Sequence, residues 1–179
     1  MGEASSLALD SANRPHISHY QHYDGDLRYA YYDGAAWHTE TVDSDGNVGA
    51  GISLALDSSS RPHIGYYDFT NQDLKYARTL LGGWLKQTVA STGDVGKYSS
   101  LAVNSLGYAR ISYYDLTNGD LRYAFYTGSA WSFETVDSTG DSGRYTSIAL
   151  GGSERPAISY YDVTNGHLRY ANFDGSTWV

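Results

Sequence analysis

A fourteen-residue phrase returns along this chain at a constant interval, and that interval constrains the fold more than any other feature. It reads ISYYDLTNGDLRYA at residues 111–124 and ISYYDVTNGHLRYA at 158–171. Earlier copies are IGYYDFTNQDLKYA at 64–77 and the more eroded ISHYQHYDGDLRYA at 17–30. The four starts, 17, 64, 111 and 158, lie 47 residues apart. A unit this short cannot bury its own apolar surface, so each copy must stack on the next.

Every copy carries strand signals separated by turn clusters. The first signal is SLALD at 6–10, returning as SLALD at 53–57, SLAVN at 100–104 and SIALG at 147–151. The second is PHISHYQ at 15–21 and the third LRYAYYD at 27–33. The fourth begins at a tryptophan: Trp37, Trp84, Trp131 and Trp178 keep the same spacing. Clusters such as SANR, TNGD, DGAA and STGD lie between them, rich in residues that accept positive φ or bond their own backbone. No stretch of helical period interrupts this pattern, which predicts an all-β chain of short strands.

The second strand shows how the units pack. Alternation sends Ile64, Tyr66 and Asp68 to one face, His63, Gly65 and Tyr67 to the other, and both faces carry large side chains. A sheet with one wet face would not. Two-sided burial, four strands and a repeat of 40–50 residues together predict a β-propeller. The expected blades are 1–47, 48–94, 95–141 and 142–179, in a single ring or half-ring over 1–179. The last blade lacks most of its outer strand, an end point that suits an excised or engineered fragment as well as a natural gene.

In repeat length the chain resembles the tachylectin-type sugar-binding propellers. It is also similar to the tyrosine-rich repeats of large secreted bacterial propeller proteins, which implies a secreted bacterial parent. No sugar-site motif of a lectin is matched, so the resemblance supplies no site residues.

Composition removes several functions. The net charge of −8 argues against nucleic acid and anionic membrane as partners, since both need a basic patch. No apolar run is long enough for a transmembrane helix, and no signal peptide is recognised. Met1-Gly2-Glu3-Ala4-Ser5-Ser6 matches an N-myristoylation pattern. Yet Gly2 shares its register with Gly49, Gly96 and Gly143, which makes it a structural turn glycine. The chain has no cysteine, which excludes disulfides and thiolate-bound zinc.

The candidate ligand site is the face where the fourth-to-first and second-to-third strand loops emerge. It collects Asp68, Asn71, Asp115, Asn118, Asp162, Asn165, Asp94 and Asp141, with Asp45 and Asn47 beside them. Carboxylates and amides among tyrosine rings suit sugars. Each residue also has a simpler explanation as a turn former, and that account is favoured. Asp43, Asp45 and Asn47 offer alternating oxygens for calcium, but their counterparts Ala90, Thr92 and Asp94 lose two of the ligands, so a plain turn is preferred. His16, His19 and His22 have the wrong period for chelation from a strand, and His63 repeats His16, which points to packing. No metal and no cofactor is expected. Glu40 and Glu134, on outer strands two blades apart, should be too far apart for paired acid–base hydrolysis. Arg28, Lys75, Arg122 and Arg169 recur in register beside Asp68, Asp115 and Asp162, and cross-strand ion pairs are expected there.

These residues favour a non-enzymatic binding module with carbohydrate as the ligand. The alternative is a structural or engineered scaffold that self-assembles without a ligand. Self-association is expected as a homodimer completing an eight-bladed ring, and its rival is closure of one chain into a compact four-bladed ring.

Overall fold

A computed structural model of the chain describes residues 2–179, with side chains from residue 4 onward. Met1, where the lipidation-like pattern begins, lies outside the described residues. The strands are β1 (Gly2–Leu9), β2 (Pro15–Gln21), β3 (Asp26–Tyr32), β4 (Trp37–Asp43), β5 (Val48–Leu56), β6 (Pro62–Asp68), β7 (Asp73–Leu80) and β8 (Gly83–Ala90). They continue as β9 (Val95–Val103), β10 (Ala109–Asp115), β11 (Asp120–Tyr126), β12 (Trp131–Asp137), β13 (Ser142–Leu150), β14 (Pro156–Asp162) and β15 (His167–Asn172). Each set of four forms one antiparallel sheet in chain order, and the last sheet has three strands. A single bridge, Phe173 to Trp178, stands where its outer strand would begin. Trp37 and Trp131 open β4 and β12, and Trp84 is the second residue of β8, so the tryptophans hold equivalent places as their spacing predicts.

The first strands run longer than the sequence suggests. β5, β9 and β13 each begin five residues before the SLALD-type phrase, and each slips register on the way. Gly51, Tyr98 and Tyr145 take positive φ at that slip, the sign of a β-bulge. Alternation cannot reveal it, because a bulge breaks the period of two.

Consecutive sheets pack face to face, and β6 is buried along its whole length. The end sheets are buried on one side only. In β2, His16, Ser18 and Tyr20 are buried while Ile17, His19 and Gln21 are half-exposed. In β14, Ile158, Tyr160 and Asp162 are buried while Ser159 and Tyr161 open outward. Among the described residues the fourth sheet makes no junction with the first of the kind that joins consecutive sheets, so the outer faces of these two sheets are left open.

Contact between sheets depends on one glycine register. A Cβ on Gly96 would sit 2.7 Å from the Leu74 Cα, and one on Gly143 would sit 2.7 Å from the Leu121 Cα. Both glycines have φ above +100°. Gly96→Ala is expected to cost at least about 2 kcal/mol, from strain and overpacking together. Gly82→Ala, also at positive φ but with open space around it, should cost less. Urea denaturation of both variants checks the difference, and equal costs would contradict the close-packing account.

Candidate functional site

The loop-face carboxylates are largely committed to structure. Asp68 accepts hydrogen bonds from the Thr70 and Asn71 backbone N–H groups and from Asn71 Nδ2 at 2.9 Å. Asp115 holds Asn118 in the same way, and Asp162 holds Asn165. Asp94 accepts from the Tyr67 hydroxyl and Lys97 Nζ. Asp141 accepts from the Tyr114 hydroxyl and Arg144. The bonds of Asp68, Asp115 and Asp162 to backbone N–H groups two or three residues on are those of a turn former, whereas Asp94 and Asp141 hold a distant tyrosine hydroxyl and a nearby cation. Two of the eight, Asp115 and Asn118, also border a large cleft.

The other candidates have structural partners too. Lys86 Nζ lies 2.8 Å from both Asp43 and Asp45, so a lysine serves the oxygens considered for calcium. Glu40 accepts from the Trp84 indole N–H, and Glu134 accepts from that of Trp178. His16 and His63 each bond a tyrosine, Tyr29 and Tyr76, through Nδ1.

Burial pushes the His63 ring down to a pKa of about 4, against the opposing pull of Asp57 at 3.6 Å. The unfolded chain thus binds the proton more readily. Stability is complete above the unfolded value of 6.5 and falls as pH drops towards 4, by up to roughly 3 kcal/mol. His16 is shifted in the same direction, also by burial. Melting temperature should therefore decline from pH 7 to pH 4, and His63→Gln should flatten the slope. An unaltered protein with a flat profile over that range would contradict this.

The expected cross-strand ion pairs hold only in part. Arg169 Nε bonds Asp162 at 2.8 Å, but Lys75 stands 3.8 Å from Asp68 and bonds Asp43 of the preceding sheet at 2.6 Å. The missed partner is the acid that ends two of the outer strands, Asp43 of β4 and Asp137 of β12. Asp43 accepts from Lys75, from Lys86 and from the Tyr66 hydroxyl. Burial alone would raise its pKa, yet these three donors hold it down at about 2. Asp137 likewise accepts from the Tyr160 hydroxyl at 2.8 Å and Arg169 at 3.1 Å. Each of these acids ties one sheet to the next.

Between the second and third sheets the acid is absent. Ala90 stands where Asp43 and Asp137 stand, and Phe133 stands where Lys86 does. Tyr113 and Arg122, the counterparts of Tyr66 and Lys75, face a cleft of about 410 Å³. Arg122 Nε is buried with no hydrogen-bond partner. Burial pushes the Tyr113 hydroxyl up to about 12, so it stays protonated and able to donate. Ser91, Thr92 and Asn118 complete the polar wall, and half-exposed Phe133 supplies an aromatic one.

No protein-family model matches the chain, and no curated protein sequence matches it. Solved structures do. A protein of unknown function from Dyadobacter fermentans superposes with a TM-score of 0.68 at 11% identity, over 98% of this chain and 66% of that one. An ulvan lyase superposes with a TM-score of 0.65 at 14% identity, over 99% of this chain and 57% of that one. The chain has the β-propeller fold. It spans less than two thirds of either structure's length. A fucose lectin from Kordia zhangzhouensis aligns over 73% of this chain and 97% of that one at 20% identity, but its TM-score of 0.47 is too low to relate the two. Identities this low establish a propeller and no activity. Within the propeller each sheet is a blade, and the cleft lies between blades two and three.

Proposed function

We propose that the chain is a non-catalytic, carbohydrate-binding propeller module. The observation that carries this is the cleft between blades two and three. Its volume is that of a ligand site, and it joins an aromatic wall to polar groups not all consumed by the fold. Sugars need both, because their C–H faces lie on rings while their hydroxyls bond polar atoms. The non-catalytic part is supported by Glu40 and Glu134, which are tied to indole N–H groups in separate blade pairs. A glycan array probed with the intact chain tests the reading. A reproducible set of bound glycans is expected, and silence across the array would overturn it.

We further propose that two chains close one eight-bladed ring. Leu27, Leu74 and Leu121 are fully buried beneath the following blade, while Leu168 at the same position is 82% exposed. At the other end Leu7 is 62% exposed, against 6–8% for Leu54, Leu101 and Ile148. The hydrogen bonds between blades are also left open at these ends. Ser6, Ser53 and Ser100 each accept the backbone N–H of Leu54, Leu101 and Ile148 in the next blade. By register, Ser147 is the next acceptor and the Leu7 N–H of a second copy its donor. The two faces thus complement each other as successive blades do, which favours a second copy as the occupant.

A further inference from the structure

We infer that the cleft between blades two and three takes the carboxylate of an acidic sugar, a uronic acid, in place of the side chain lost at residue 90. This deepens the carbohydrate reading above and rests on it. The repeat itself supplies the comparison. Three blade junctions carry a hydroxyl and a cation at one place: Tyr66 with Lys75, Tyr113 with Arg122, and Tyr160 with Arg169. At two junctions those groups close on a carboxylate, with hydroxyl-to-oxygen distances of 2.8 Å at both Asp43 and Asp137. At the middle junction the donors remain and the acceptor is a methyl group, Ala90.

Ala90 lines the 410 Å³ cleft where the acid would stand, and Arg122 Nε is left buried and unpartnered beside it. Unlike Arg169 and Lys75, Arg122 has no carboxylate oxygen within ion-pair distance among the described residues. A buried N–H without a partner is costly, which a ligand carboxylate would relieve. Guanidinium and phenol hydroxyl are the donors that already bind a carboxylate one blade later.

The second substitution at this junction selects a sugar over a bare anion. Lys86 clamps Asp43 at the first junction, whereas Phe133 takes that position beside the cleft and is 43% exposed. It trades a cation for a ring face. A hexuronate would place its carboxylate towards Arg122 and Tyr113 and its C–H face against Phe133, with hydroxyls near Asn118 and Ser91.

The test is ligand-observed NMR on the intact chain with sodium glucuronate, glucose and sodium acetate as separate probes. It is repeated on Ala90→Asp, which installs the acid that the other junctions carry and so should keep the fold, and on Phe133→Ala. Glucuronate should bind the unaltered protein at least tenfold more tightly than glucose or acetate. Ala90→Asp should abolish that binding while leaving the melting temperature unchanged or higher, and Phe133→Ala should weaken it several-fold. Equal binding of glucose and glucuronate, insensitive to Ala90→Asp, would overturn the carboxylate inference and leave sugar binding standing. Acetate binding as tightly as glucuronate would overturn it in favour of a bare anion site. No binding of any probe, together with a silent glycan array, would overturn both readings.

Discussion

Leu168→Glu is expected to leave a folded chain that no longer pairs, so that its mass in solution falls to 19.6 kDa from twice that value. Leu168 lies on the open face of the last blade, so the substitution touches water within one chain and an apolar contact only in the closed ring. Its counterparts Leu27, Leu74 and Leu121 show what a following blade does to this position. Tyr170 tells the same story: it is 64% exposed, while Tyr29, Tyr76 and Tyr123 each carry a tryptophan of the next blade edge-on. Trp37 of a second copy has the register to meet it. Covering Leu168, Tyr170 and Leu7 at both junctions of a two-fold ring is worth on the order of 9–18 kcal/mol. Association itself costs about 4–15 kcal/mol, so the margin is narrow enough for one buried glutamate to remove it. A variant that still ran at double mass would place the dimer contact elsewhere.

Asp43→Ala should cost about 3–5 kcal/mol of folding stability, the range for removing one member of a buried ion pair. The loss is large because the partners stay behind. Tyr66 is fully buried, Lys75 is nearly so, and both point at the Asp43 carboxylate with Lys86. The Asp43 pKa, held at about 2, carries the matching pH dependence. Its contribution is present above the ordinary value of 3.8 and is lost as pH falls through 2. Urea denaturation in a Leu168→Glu background separates this effect from dimerisation. Asp43→Asn, which keeps the hydrogen-bonding oxygen, should cost less than Asp43→Ala. A midpoint unmoved by either substitution would show that the junction acids do not hold the blades together.

The fold was legible because the repeat is almost undamaged. The 47-residue spacing, the tryptophan register and the two-sided burial of PHIGYYD each name the same architecture. The bulges at Gly51, Tyr98 and Tyr145 were not legible, since a residue at positive φ inside a strand leaves no mark in the alternation. The site was half legible. Arg122 is visible as a recurring cation, but strand pairing within its own blade points to Asp115 as its partner. The carboxylate that serves this position at the other junctions lies on the preceding blade, 32 residues away in both Asp43–Lys75 and Asp137–Arg169. A signal for it did exist: in the register of Asp43, Ala90 and Asp137, one of three copies lacks an acid while its cation persists. Only the packing of blade on blade places Ala90 in the wall of a cleft.

The central claim, that one chain is half of a closed ring, is tested most directly by multi-angle light scattering of the unaltered protein at micromolar concentration. Two chains per particle are predicted, with a melting temperature that rises with protein concentration. A particle of 19.6 kDa whose melting is cooperative and independent of concentration would contradict the half-ring.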